Sequence, residues 1–134
     1  MDKIDSFRGK YRFLSNFYPV EGISVEHLYQ SEKTQVIEER EWVLESDTPG
    51  IAKRRGRSVT MRSDWHDIKL EVMERLLRWK FSKDRFKSLL LETDDAELIE
   101  GNHWHDYYWG MCNGKGSNHL GKLLMKIRGE LKDV

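Results

Sequence analysis

The chain has 134 residues, no formal net charge, and 38% hydrophobic against 34% charged residues. That length suits one domain over residues 1–134 and leaves little room for a separate cofactor domain; five Trp, five Tyr and five Phe exclude a disordered chain. The neutral balance weighs against a module built to grip long nucleic acid, which needs a positive excess to displace counterions.

Taken in chain order, Tyr11-Arg12-Phe13 reads as a short strand. Asn16, Pro19 and Gly22 supply turn chemistry, and a strand over 20–25 closes a small hairpin-like unit. The pattern then turns helical over 26–37, with Val25, Leu28, Tyr29 and Val36 on one side. Asp47-Thr48-Pro49 starts a helix with a capping side chain before a proline, and it runs to about Arg57. Ser63 caps the longest helix, whose positive end carries Asp64 and Asp67 and whose period runs through Ile68, Val72, Met73, Leu76, Leu77 and Lys80. A short helix over 85–91, a last strand over 96–100 and a final helix from Asn118, with Leu120, Leu123, Leu124, Ile127 and Leu131 as its buried stripe, complete the chain. The fold class is α+β, mostly α-helical with a small N-terminal β element.

Four stretches can carry chemistry. On the first helix Glu26, Gln30 and Lys33 fall within about 60° of one another at about 100° per residue. They present a carboxylate, an amide and an ammonium that can hold a sugar and polarise a leaving group; the competing reading is a solvated charged face. Lys53-Arg54-Arg55-Gly56-Arg57, with Arg62 beyond, suits phosphate, or is a solvated helix face. His103-Trp104-His105-Asp106-Tyr107-Tyr108-Trp109-Gly110 offers rings on which a base can stack, beside a second carboxylate. Gly114-Lys115-Gly116-Ser117-Asn118 leads into the last helix and suits an anion at its N-terminus, or is a turn capped by Asn118. The last stretch is neither a Walker loop nor a dinucleotide fingerprint. His103, His105 and Cys112 match no standard zinc spacing, so no metal is expected.

Cys112 is the one cysteine, so no intrachain disulfide forms and a reducing setting is the simplest reading. The first residues lack the apolar run of a signal peptide and no stretch is long enough to span a bilayer, so the expected location is the cytoplasm, with no membrane partner.

Together these pieces resemble the NADAR, or YbiA-like, family. The resemblance rests on Phe13-Leu14-Ser15-Asn16-Phe17-Tyr18-Pro19, on Glu26-His27-Leu28-Tyr29-Gln30-Ser31-Glu32-Lys33, on Ala52-Lys53-Arg54-Arg55-Gly56-Arg57, and on Trp65 with Lys69 and Met73. It continues through Asp106-Tyr107-Tyr108-Trp109-Gly110, Gly114-Lys115-Gly116 and the run from Asn118 to Met125. Order and spacing agree nearly end to end. One departure is Met111-Cys112-Asn113, which stands where family members often carry a glycine-rich run. A second is a richer basic run than in some members, which leaves room for a larger phosphorylated ligand.

The resemblance implies an N-glycosidase that cuts a ribose C1–N bond beside a phosphate. The substrate is either an early phosphorylated riboflavin-pathway intermediate or ADP-ribose attached to guanine, free or within nucleic acid. It implies Glu26, Asp106 and Lys33 as catalytic, their roles as acid, base or nucleophile left open. Asn16, Phe17, Gln30, Lys53, Arg57, Trp65, Trp109, Gly116 and Asn118 form the substrate-binding set, Trp65 and Trp109 sandwiching the base. No cofactor is implied. The alternative is a sensor that binds ADP-ribose or a nucleotide without turnover.

Overall fold

The computed structural model describes residues 3–133. In chain order the elements are β1 (Lys3–Ile4), a 3₁₀ helix (Gly9–Leu14), β2 (Pro19–Val20), β3 (Ile23–Ser24), α1 (Val25–Ser31), α2 (Ile37–Leu44), α3 (Pro49–Gly56), α4 (Trp65–Phe81), α5 (Asp84–Leu91), β4 (Glu97–Leu98), β5 (Gly101–Asn102), β6 (Met111–Cys112) and α6 (His119–Lys132). The architecture is α+β and mostly helical. Residues 16–76 form one compact unit, and the flanking segments 1–15 and 77–134 form another.

The 16–76 unit opens with a β2–β3 hairpin, Pro19 opposite Ser24 and Val20 opposite Ile23. Its two-residue turn places Glu21 and Gly22 both at positive φ, the conformation that matches strand twist in a tight hairpin. The single strand expected over 20–25 is therefore two short strands around that turn. α1 follows at once. The Ser24 hydroxyl accepts from the His27 backbone N–H at 3.1 Å and caps the helix. The His27 ring, itself buried, lies 2.7 Å from the Ser24 hydroxyl through Nδ1 and 2.9 Å from the Ser46 carbonyl through Nε2. A carbonyl only accepts, so Nε2 carries the proton and Nδ1 takes the Ser24 hydrogen. His27 thus ties the start of α1 to Ser46, two residues past the end of α2.

α1 stops at Ser31, earlier than the helix expected over 26–37. The cause is tertiary. Thr34 is fully buried and pairs with Met61 in an isolated bridge, and the Lys33 carbonyl accepts from the Arg62 backbone N–H at 2.7 Å. Val36, placed on the apolar side by periodicity, lies outside the helix and is exposed. The capping prediction for α3 holds: the Thr48 hydroxyl accepts from Ile51 N–H and Pro49 opens the helix. Val20, Val25, Tyr29, Val43, Ala52, Trp65, Val72 and Met73 fill the core of this unit.

In the flanking unit Tyr11-Arg12-Phe13 is part of the 3₁₀ helix and not a strand. Phe13 and Leu14, at the end of that helix, are both buried. β1 pairs in parallel with β4, and β5 in parallel with β6. Leu14, Leu77, Phe81, Phe86, Leu90, Leu98, Leu120, Leu124 and Ile127 make the core. α6 packs on β4 and α5. At Gly121 a side chain would run into the Leu98 carbonyl and the Asn118 amide, so glycine sets how closely α6 approaches β4.

Lys80, on the buried stripe of α4, has no exposed surface. Its Nζ donates to the Ser15 carbonyl at 3.0 Å and sits 5.2 and 5.5 Å from the ring centres of Phe81 and Phe86. Burial pushes its pKa down to about 7, since a low-dielectric surrounding penalises the charged form.

Candidate active site

The 16–76 unit gathers a carboxylate, two amides and several cations. Glu26 and Gln30 are buried, at 7% and 4% exposure, which rules out a solvated face for this stripe. They stand one turn apart on α1, and Gln30 Nε2 donates to Glu26 Oε1 at 2.9 Å. The backbone N–H of Glu26 donates to the Asn16 carbonyl at 3.0 Å. Two buried oxygens, Asn16 Oδ1 and Gln30 Oε1, accept no hydrogen bond. Each such orphan costs about 1–3 kcal/mol, a cost tolerated at functional sites more than elsewhere.

Lys33 lies just past the end of α1. Burial chiefly pushes its pKa down; Glu26 pulls it back up, and Arg57, Lys53 and Lys69 push it further down. Those named causes gather one buried carboxylate and three further cations around Lys33. Lys53 Nζ also stands 6.0 Å from the ring centre of Phe17, a ring that is 43% exposed. The basic run divides by role. Arg55 donates to the Trp42 carbonyl at 2.7 Å and lies over the Trp42 ring, while Arg62 forms a bidentate pair with Asp64. Those two guanidiniums tie the fold together, whereas Lys53 and Arg57 are the cations of the run that act on Lys33.

The segment 100–120 in the other unit is organised differently. Asp106 Oδ1 accepts from the backbone N–H groups of Tyr108 and Trp109 at 3.1 and 2.9 Å. Asn102 braces the same residue twice: its Oδ1 accepts from Asp106 N–H and its Nδ2 donates to the Asp106 carbonyl. The rings of Tyr108, Trp109 and His119 pack together, with centres 4.4–6.4 Å apart. The backbone N–H groups of Ser117, Asn118, His119 and Leu120 donate to the carbonyls of Tyr107, Gly110, Tyr108 and Trp109. Asn118, in the left-handed region and buried, accepts from Glu100 N–H at 3.0 Å and donates to the Leu98 carbonyl at 2.9 Å.

The sequence model of the NADAR domain matches residues 6–132. The chain belongs to the NADAR family. It is 39% identical over 132 residues to a riboflavin biosynthesis protein of Vibrio vulnificus, covering 90% of this chain but 36% of that protein. It is 40% identical over 110 residues to the N-glycosidase YbiA of Shigella boydii, covering 79% of this chain and 68% of the relative. This NADAR chain thus spans about a third of the first protein and two thirds of the second. The NMR structure of Escherichia coli YbiA is similar to it with a TM-score of 0.83 at 36% identity, over 98% of this chain and 86% of the other.

Against the expectations for this NADAR chain, the 16–76 unit brings Glu26, Gln30, Lys33, Lys53 and Arg57 into one electrostatic neighbourhood, with Asn16 and Phe17 bonded or adjacent to it. It adds Lys69, which the sequence offered only as part of a motif. Three expectations are corrected. Trp65 is 2% exposed and its indole packs on Tyr29 at 5.0 Å, so it has no open face for a base and is a wall. The Gly116 loop does not present helix N–H groups to an anion, because the four donors at the start of α6 are spent on the 107–110 carbonyls. Asn118 spends its amide on Leu98 and Glu100 and does not cap α6 with its side chain. Gly116 instead lets the backbone pass close: at φ +140° a side chain there would meet the carbonyls of Gly110 and Tyr107. Among the described residues no three His, Cys, Asp or Glu side chains group as metal ligands, and no helix is long and apolar enough to cross a membrane.

Proposed function

We propose that this chain is an N-glycosidase, working as one NADAR domain over 1–134, that hydrolyses the C1–N bond between ribose and base in a phosphorylated nucleotide-like substrate. The observation that carries the reading is the buried Glu26 carboxylate, bonded to Gln30 and set among Lys33, Lys53, Arg57 and Lys69. Positive charge grows on C1 and the ring oxygen as the bond to nitrogen breaks, and a fixed carboxylate shielded from water opposes that charge strongly. The leaving nitrogen needs a proton. Lys33, whose pKa is pushed down, gives one up more readily than an ordinary ammonium. The attacking water gives up its proton to a carboxylate base, and Lys53 and Arg57, with Lys69, hold phosphate.

Relatives named for riboflavin biosynthesis and as N-glycosidases favour an early riboflavin-pathway intermediate, a phosphorylated ribosylaminopyrimidine. ADP-ribose on guanine is the second substrate reading, favoured by the grouping of Lys53, Arg57 and Lys69 around Lys33, which suits a diphosphate. The test offers the protein both compounds side by side and follows released base by mass spectrometry. Release of base from one of them, lost in Glu26→Gln with binding kept, is the expected result. Binding without release assigns a nucleotide sensor instead.

A further inference from the structure

Gln30 has one hydrogen bond that matters to Glu26 and one oxygen that has none. Its Nε2 donates to Glu26 Oε1, while Oε1 is buried without a partner. A primary amide turned end for end swaps these two atoms. Turned that way, Gln30 would aim an oxygen at the Glu26 carboxylate and lose a charge-assisted hydrogen bond. The orientation seen therefore serves the carboxylate at the expense of the amide's own oxygen. What seats that oxygen is Gly56, the last residue of α3. A Cβ on Gly56 would overlap Gln30 Oε1 and crowd its Cδ. Gly56 has no positive φ, so its lack of a side chain is required by this contact and not by the backbone.

We infer that Gln30 is a positioning residue for Glu26 and that Gly56 is the seat that makes its orientation possible. This rests on the reading of Glu26 as the reactive carboxylate. Gln30 was expected to touch substrate; here it acts through Glu26. The charged groups in the same cluster are Lys33 beyond α1, Lys53 and Arg57 at α3 and Lys69 on α4. They set the field, while Gln30 sets the direction in which the carboxylate points.

The experiment is a double-mutant cycle on Gln30→Ala and Gly56→Ala, read in two ways. The first is the carboxyl titration of Glu26 in the full chain labelled with ¹³C-glutamate, the resonance assigned by its loss in Glu26→Gln. Removing a donor from a carboxylate raises the pH at which it takes a proton. Gln30→Ala raises the midpoint by about one to two units, the span of one hydrogen bond to a charge. Gly56→Ala raises it similarly and adds nothing once residue 30 is alanine. Alanine is a better helix residue than glycine, so Gly56→Ala keeps α3. Circular dichroism checks that both variants fold.

The second readout is turnover of the ribosylaminopyrimidine 5′-phosphate. Both single variants lose roughly ten- to hundredfold in kcat with KM unchanged. An unmoved midpoint in Gln30→Ala, or additive effects of the two substitutions, overturns the inference. A midpoint that moves while kcat stays at the wild-type level overturns the positioning role. The underlying reading of Glu26 fails on a separate result, namely Glu26→Gln turning over at the wild-type rate.

Discussion

The stretch around Glu26 and the stretch from Glu100 to Leu120 are both rich in polar and aromatic side chains, and from the sequence both read as sites. Their hydrogen bonds separate them. In the first, two buried amide oxygens have no partner, and a buried carboxylate and three further cations act on Lys33. In the second, the donors of the α6 N-terminus, the Asn118 amide and Asp106 Oδ1 all find partners within the segment or at Leu98 just before it. A region that completes its own hydrogen bonds is architecture first. A region that leaves them open at a cost of about 1–3 kcal/mol each is held in place for something other than stability.

The largest effect expected from breaking this contrast is at Glu26. Glu26→Gln keeps shape and loses charge, so turnover falls by about a hundred- to a thousandfold while melting temperature moves little; removal of one group aimed at developing charge has that scale. The opposite pattern is expected at Asn118. Asn118→Ala orphans Glu100 N–H and the Leu98 carbonyl and puts alanine at φ 52°, costing on the order of 3–6 kcal/mol of stability. Denaturant unfolding reads it, and whatever variant remains folded binds substrate normally. If Asn118→Ala were stable and instead lost binding, the segment would be a ligand site and the contrast would be wrong.

Lys80 sharpens the comparison in the flanking unit. Its folded pKa of about 7 lies below the ordinary lysine value of about 10.4. Between those limits the unfolded chain binds the proton and the folded chain does not, so stability rises with pH through that window. Below about pH 7 both states are charged and the burial penalty is felt in full. Lys80→Met removes the slope and raises stability at neutral pH by about 1–4 kcal/mol. Thermal melts from pH 6 to 10 check it, and an unchanged slope would place the titration elsewhere.

How much was legible in the sequence follows from the same physics. Thr48-Pro49, the α4 period and the α6 stripe were readable because caps and one-sided burial leave a pattern in one dimension. α2 was not, because Val43 is its one buried apolar side chain while Ile37 and Trp42 are exposed, so no stripe exists to see. The end of α1 was hidden because Thr34 and Lys33 leave the helix for partners at Met61 and Arg62, nearly thirty positions away. Glu26, Gln30 and Lys33 were found through helical spacing, and they come together although Lys33 lies past the helix. Trp65 and Asn118 were misread for one reason. A conspicuous ring or amide looks the same in a sequence whether its polar and flat surfaces face a ligand or the protein itself.

The smallest expected effect tests the cation cluster directly. Lys33 is pushed down mainly by burial, and among its neighbours Lys69 contributes less than Arg57 or Lys53. Lys69→Met removes one like charge, so the Lys33 pKa rises. With Lys33 as proton donor, activity is lost as pH climbs through that pKa, and the alkaline limb of the rate profile moves to higher pH in the variant. Lys80 is the internal control, because burial alone shifts it and its titration stays in place when Lys69 is changed. A limb that moved to lower pH would mean that Lys33 is needed uncharged at a different step. An unmoved limb would remove Lys33 from the proton pathway and leave it as one more cation for phosphate.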